Sequence, residues 1–258
     1  MGLFNGDGVD GSSGGDRDDP EFAARVAVRP FKPFSTGWLD NFQIGASATY
    51  GKISLSNVDL EVKSTGMFGT DRNLYTLKQN TKFGVLRDAE DRMRAGLEAA
   101  WAWNAFAAMG EFIHLRYTDL KPSGGTARDA EFSSAYVSLL YSLTGEPFII
   151  SEGVMKPFYP RNFFNPSEGQ WGGFVVGLRG EHFEGDEDWI MPDAFVSVER
   201  ADAVSATLNW IPYPMLRMIL DYTYTDFSDP IRVRVDPDGS VDYVEKESVI
   251  TVRLSMDF

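Results

Sequence analysis

The chain has 258 residues, with 24 Lys and Arg against 38 Asp and Glu, and its formal charge of −14 argues against a nucleic-acid binder. It has no Cys and 2 His, which excludes disulfide scaffolds, thiolate metal sites and Cys nucleophiles and leaves little for a His-rich metal centre. With 19 Phe, 10 Tyr and 6 Trp it is too aromatic for a disordered chain, and no stretch approaches the about 18 apolar residues of a transmembrane helix.

Residues 1–20 are rich in Gly, Asp and Ser, without the basic start and apolar run of a signal peptide. They read as a loop left from a truncated N-terminal part, and residues 21–258 as one β unit. From there most segments alternate with period two. Phe22, Ala24, Val26 and Val28 oppose Ala23, Arg25, Ala27 and Arg29, and Ile44, Ala46, Ala48 and Tyr50 oppose Gly45, Ser47 and Thr49. Met93, Ala95, Leu97, Ala99, Trp101 and Trp103 oppose Arg92, Arg94, Gly96 and Glu98. Residues 95–115 are Ala-rich, a helical propensity, but the Trp101/Trp103 spacing fits a strand, so we expect a hairpin with its turn at Asn104-Ala105. Further along, Phe174, Val176 and Leu178 share one face, as do Val204, Ala206, Leu208 and Trp210. Met218, Leu220, Tyr222 and Tyr224 then oppose Arg217, Ile219, Asp221 and Thr223. The last strand sets Ile250, Val252, Leu254, Met256 and Phe258 against Thr251, Arg253 and Ser255.

This gives about nine to eleven antiparallel strands, longer than the about five to six residues of soluble ones and close to what a tilted membrane strand needs. Short turns at 104–105 and 211–214 alternate with polar loops near 56–72, 121–130, 160–170, 184–194 and 226–246, an asymmetry expected of an outer-membrane barrel. The last of these loops is expected to carry its own small hairpin, with residues 231–235 and 240–244 flanking Asp236 to Gly239. Period alone does not say which face is outside. Mid-strand charges (Arg25, Arg94, Glu98, Arg179, Glu181, Arg217, Asp221, Arg253) and aromatics at the ends of the apolar rows favour an apolar face toward lipid and a polar face toward a lumen.

Several blocks carry a resemblance. They are the run from Tyr136 to Glu146, Trp171-Gly172 leading to Arg179, Ala206 to Trp210, Leu216 to Thr223, Val252 to Phe258, and Phe22 to Phe31 at the start. Together they resemble the phosphate-selective porin O and P family of Gram-negative outer-membrane channels, over nearly the whole chain. The resemblance implies an antiparallel transmembrane barrel of 16 strands, of which this chain holds the C-terminal portion, and we expect that portion to be an open, incomplete sheet. It also implies a homotrimer in the full-length form, a signal peptide lost with the N-terminus, and passive diffusion of small solutes, anions such as phosphate among them. Outer-membrane lipid and small anions are then the partners, with no cofactor. The total of −14 gives that anion preference no support of its own.

Guanidinium groups bind phosphate oxygens in a fork, so Arg25, Arg29, Arg92, Arg94, Arg179, Arg217 and Arg253 are the lumen-facing pathway candidates. The plainer reading makes them wall residues neutralised across strands by Glu98, Glu111, Glu181, Asp221 or Asp257. Lys156 and Arg161 lie near the start of a Phe/Pro/Asn-rich stretch, 157–170, read either as a constriction folded into the lumen or as an extracellular loop held by aromatics. Catalysis and metal binding are not expected. Residues 11–15 fit G-x-S-x-G without the strand and helix of a nucleophile elbow. Asp236, Asp238, Ser240 and Glu247 mimic a Ca²⁺ loop with Val241 where Gly is required, and His114 and His182 stand alone in the sequence. The rival functions are a non-channel structural or adhesive outer-membrane barrel and a soluble lipocalin-like binding barrel with its apolar face inside.

Overall fold

The structure is a computed structural model that describes residues 1–5, 20–34, 37–53, 61–63, 73–77, 81–151, 154–191, 193–235 and 240–256. The Gly/Asp-rich stretch 6–19 with its G-x-S-x-G match, most of the 56–72 loop, Asp236 to Gly239, and Asp257 and Phe258 lie outside the described residues.

Ten strands follow one another as an up-and-down antiparallel meander: β1 (Gly2–Asn5), β2 (Pro20–Val28), β3 (Gln43–Lys52), β4 (Asp91–Trp103), β5 (Phe106–Pro122), β6 (Arg128–Ser142), β7 (Gly173–Gly185), β8 (Arg200–Tyr213), β9 (Leu216–Val235) and β10 (Val241–Met256). A short strand, Leu86–Asp88, pairs with the end of β5. Spatial order equals chain order, so every pairing along the meander is local to its connection, and the sheet is not closed: β1 and β10 are its edges. The fold is all-β, as the alternation predicted, and porin-like, as the resemblance implied.

The Asn104-Ala105 turn forms as expected, with Trp103 opposite Phe106 and Asn104 at φ 50°, a left-handed conformation that Asn tolerates. Helical propensity in 95–115 loses because alternate side chains there must satisfy two faces at once. Three expectations about connections are corrected. The turn expected at 211–214 sits at Pro214-Met215, since Ile211 to Tyr213 still belong to β8 beyond a bulge at Trp210/Tyr213. The hairpin expected within 226–246 does form, with Ile231 opposite Val244 and Val235 opposite Val241, but it is not separate in a loop: beyond register shifts it continues β9 and β10. Finally, the 143–172 connection, which contains the stretch 160–170, leaves from the end of the sheet that bears the two-residue turns, not from the end that bears the other long connections. Strand parity decides this: β6 reaches Ser142 beside the 104–105 turn, and β7 starts there.

The two faces differ. One carries the apolar rows, uncovered: Val26 is 63% exposed, Leu178 59%, Val204 61% and Val252 71%. The other carries the charges and receives the connections. At the long-loop end, Leu74, Tyr75, Leu77, Trp189 and Val198 pack on Phe132, Phe183, Ala201 and Phe227 of that polar face. At the turn end, Phe148, Ile150 and Phe158 pack on Ala102, Ala107, Val175 and Ile211. The buried core is therefore made by infolded connections, not by the strand rows that the period displays.

Trp189, 1% exposed, closes the larger cluster and donates Nε1–H to the Asp129 carbonyl at 2.8 Å. Truncating a buried Trp leaves a cavity, and Trp189→Ala is expected to cost about 3 kcal/mol or more, read as a lower urea midpoint of the folded chain in detergent or lipid.

Candidate functional site

Between the two infolded clusters the polar face holds a band of paired charges, set by alternation on β2, β4 and β7. Arg25 lays its guanidinium along Glu98, with Nε 3.1 Å from Oε2 and Nη2 2.5 Å from Oε1. Glu21 gathers two cations, Arg94 at 2.6 Å and Arg92 at 3.2 Å, while Arg94 Nε–H also donates to Thr49 Oγ1 at 2.9 Å. Arg179 reaches Glu181 at 2.7 Å and lies over the Tyr136 ring, 3.8 Å from its centroid. Glu98 on β4 stands directly opposite Glu111 on β5, a like-charge pair that costs stability unless a cation intervenes, and Arg25 supplies one.

The predicted pathway residues fall into three groups. Arg25, Arg92, Arg94 and Arg179 lie on the polar face and are ion-paired. Arg92 is 6% exposed, whereas the other three keep part of the guanidinium open. Arg217 and Arg253 lie on the same face near the turn end of β9 and β10, outside ion-pair distance of the described acids, with Asp221 the acid that Arg253 acts on electrostatically. Arg29 acts differently, donating to the Ile150 carbonyl at 2.7 Å and so clamping the infolded 143–172 connection to the far side of the sheet. The sequence reading missed Glu21, the acid that holds Arg92 and Arg94. Its position one step from Phe22 on the Arg25 face was the available signal.

Lys156 is half-buried within the infolded connection, its backbone N–H on the Ile149 carbonyl. Arg161 is exposed at the base of that connection and binds the Gly145 carbonyl through Nη2 at 2.8 Å. Beside it Glu146, 3% exposed, was also missed. Its carboxylate accepts from Ser142 Oγ at 2.9 Å, Thr144 Oγ1 and the Arg161 N–H at 3.1 Å. Burial alone pushes such an acid up, but these donors outweigh it and hold Glu146 below the usual glutamate range. At the opposite end Tyr75, fully buried, donates its hydroxyl to the Asp186 carbonyl, and burial pushes its ionisation far upward so that it stays a neutral donor.

The uncovered apolar face completes the geometry. On β4 its outward run from Met93 to Trp103 covers eleven residues, about 33 Å along the strand and roughly 25 Å in height at a tilt near 40°, a membrane's apolar band. Aromatics close the band at the turn end, where Trp101 stacks on Trp103 and Phe174 on Trp210. Charges begin at its other limit: Asp91, Arg116, Glu131, His182, Asp202, Asp226 and Lys246 on the successive strands β4 to β10. That limit shifts along the register between β4 and β7, as tilted strands require.

A family model for phosphate-selective porin O and P matches residues 2–258. The chain belongs to that family. A search of curated proteins finds no match. Family membership makes this an outer-membrane porin, a channel rather than an enzyme. Among the described residues no cluster of His, Asp and Glu has the geometry to hold a metal ion.

The Glu146 cluster generates a pH prediction. A carboxylate whose folded pKa lies below its unfolded value contributes stability above the unfolded pKa and loses it as pH falls through the folded one. Protection of the 143–172 amides against hydrogen exchange, relative to their intrinsic rates, is therefore expected to hold from neutral pH into the ordinary glutamate range and to be lost only at pH below that range. Glu146→Gln is expected to make exchange faster at neutral pH and to remove the acid step.

Proposed function

We propose that the protein forms a passive diffusion channel for small solutes, preferring anions such as phosphate, in the outer membrane of a Gram-negative bacterium. The observation that carries this reading is the inversion of the sheet: Val, Leu and Ile rows stand exposed on one face while ion pairs line the other. In water such a face would bury itself, and in hydrocarbon it is already at its minimum. The same inversion argues against a lipocalin-like barrel, whose apolar rows would meet inside. Strand edges in lipid must be hydrogen-bonded, so the working channel requires partners for β1 and β10. From the resemblance to trimeric porins we assign it a homotrimer of closed barrels.

Paired guanidinium and carboxylate groups give the wall little net charge, so transit relies on replacing hydration by weak, partly exposed contacts. Arg217 and Arg253, without ion-pair partners among the described residues, supply the positive bias, and Arg25, Arg94 and Arg179 offer guanidinium edges to a phosphate. The infolded connections narrow the path at both ends and set the size limit.

Two measurements test this reading. Purified chain should need detergent to stay monodisperse, and a monodisperse, detergent-free preparation would return the apolar rows to a soluble core. In planar bilayers, discrete current steps with an anion-selective reversal potential in a KCl gradient are expected. Arg217→Glu with Arg253→Glu should move that potential toward cations, and Arg25→Gln with Glu98→Gln should move it much less. Absence of steps would favour a plugged structural barrel, and cation preference in the parent chain would remove the phosphate assignment.

A further inference from the structure

The lipid-facing wall is not uniformly bulky. On β7 the outward sequence is Phe174, Val176, Leu178, Gly180 and His182, so a Gly interrupts an apolar row just below the charged limit. A Cβ placed on Gly180 would meet nothing within 4 Å; Val137 on β6 is opposite Gly180, and the small Ala135 is one outward position further along, opposite His182. Val137, Val204 and Tyr224 stand around the gap, which opens as a cleft of about 520 Å³ on the apolar face.

The upper rim of this cleft is a single register row on β7 to β10: His182, Asp202, Asp226 and Lys246. His182 Nδ1 lies 2.7 Å from Asp202, Arg200 Nε 3.3 Å from the other Asp202 oxygen, and Lys246 Nζ 3.1 Å from Asp226. Two carboxylates thus oppose each other across β8 and β9 with cations on either flank, and the Arg200 and Lys246 side chains remain more than half exposed. A hydrocarbon slot capped by such a row matches an amphiphile with acyl chains and a highly charged head: phosphate oxygens for Arg200 and Lys246, and accompanying divalent cations for the aspartates.

The cleft lies toward the end of the sheet that carries Trp189 and its long connection. By the loop asymmetry of such barrels this is the outer end, where the leaflet is built of phosphorylated glycolipid. We propose that the Gly180 cleft seats an acyl chain of a phosphorylated glycolipid of the lipid A class, with its phosphate on the Arg200–Lys246 row. This inference rests on the outer-membrane porin reading, which sets the orientation.

The test is native mass spectrometry of the full chain folded in detergent micelles. Equal amounts of lipid A, phosphatidylethanolamine and phosphatidylglycerol are offered in the presence of Mg²⁺. Lipid A is expected to be the dominant adduct. Gly180→Leu, which fills the slot from an open position, should lower that adduct severalfold, as should Arg200→Glu with Lys246→Glu. Equal retention of either phospholipid, an unchanged adduct in Gly180→Leu, or a second copy of the chain in place of lipid would overturn the proposal. A chain that folds in micelles and conducts yet shows no lipid A preference sinks only this inference, whereas one that never enters detergent or bilayer sinks the porin reading beneath it.

Discussion

The structure depends on one constraint, that a face of exposed Val, Leu and Ile must be covered by something other than this chain. No described element packs over Val26, Val204 or Val252, so their burial has to come from the solvent itself. Once that solvent is hydrocarbon, the remaining features follow. Backbone groups must be paired along the whole meander, strands must be long, and charges must leave the outer wall within the apolar band. The polar face then becomes the only place for Arg25, Arg94, Glu98, Arg179 and Glu181.

Charges gathered on that face meet a second constraint. Glu98 and Glu111 oppose each other, and Arg92 is almost fully buried, so neither arrangement is tolerable without counter-charges. The chain resolves both by bringing acids and bases from strands distant in sequence: Arg25 is 73 residues from Glu98, and Glu21 is 71 from Arg92. Such pairing keeps the wall nearly neutral while leaving several guanidinium edges open.

The infolded connections link packing to function. Each is pinned by buried polar bonds, Glu146 with Ser142 and Arg161 at the turn end and Tyr75 with Asp186 at the other. These bonds and the apolar clusters beside them hold the connections against the polar face. The 143–172 connection has the further clamp from Arg29, which ties a strand of the opposite flank to the same segment.

Much of this was legible in the amino-acid order. Period-two alternation marks the strands, their length marks the membrane, and Trp101/Trp103 with Asn104 marks a hairpin where propensity favoured helix, because each is a local consequence of side chains pointing alternately to two solvents. The pairing of Arg92 and Arg94 with Glu21, the burial of Glu146 and the clamp made by Arg29 were not legible, since they join residues whose proximity depends on strand order and register. The end from which 143–172 leaves was also hidden, because it depends on how many strands precede it, and the sequence blurs that count where loops and strand extensions share polar residues. The sequence alone determined which faces exist. Tertiary structure decided which charges meet across the polar face and which connections fold onto it, because those contacts are set by register over long separations and not by local period.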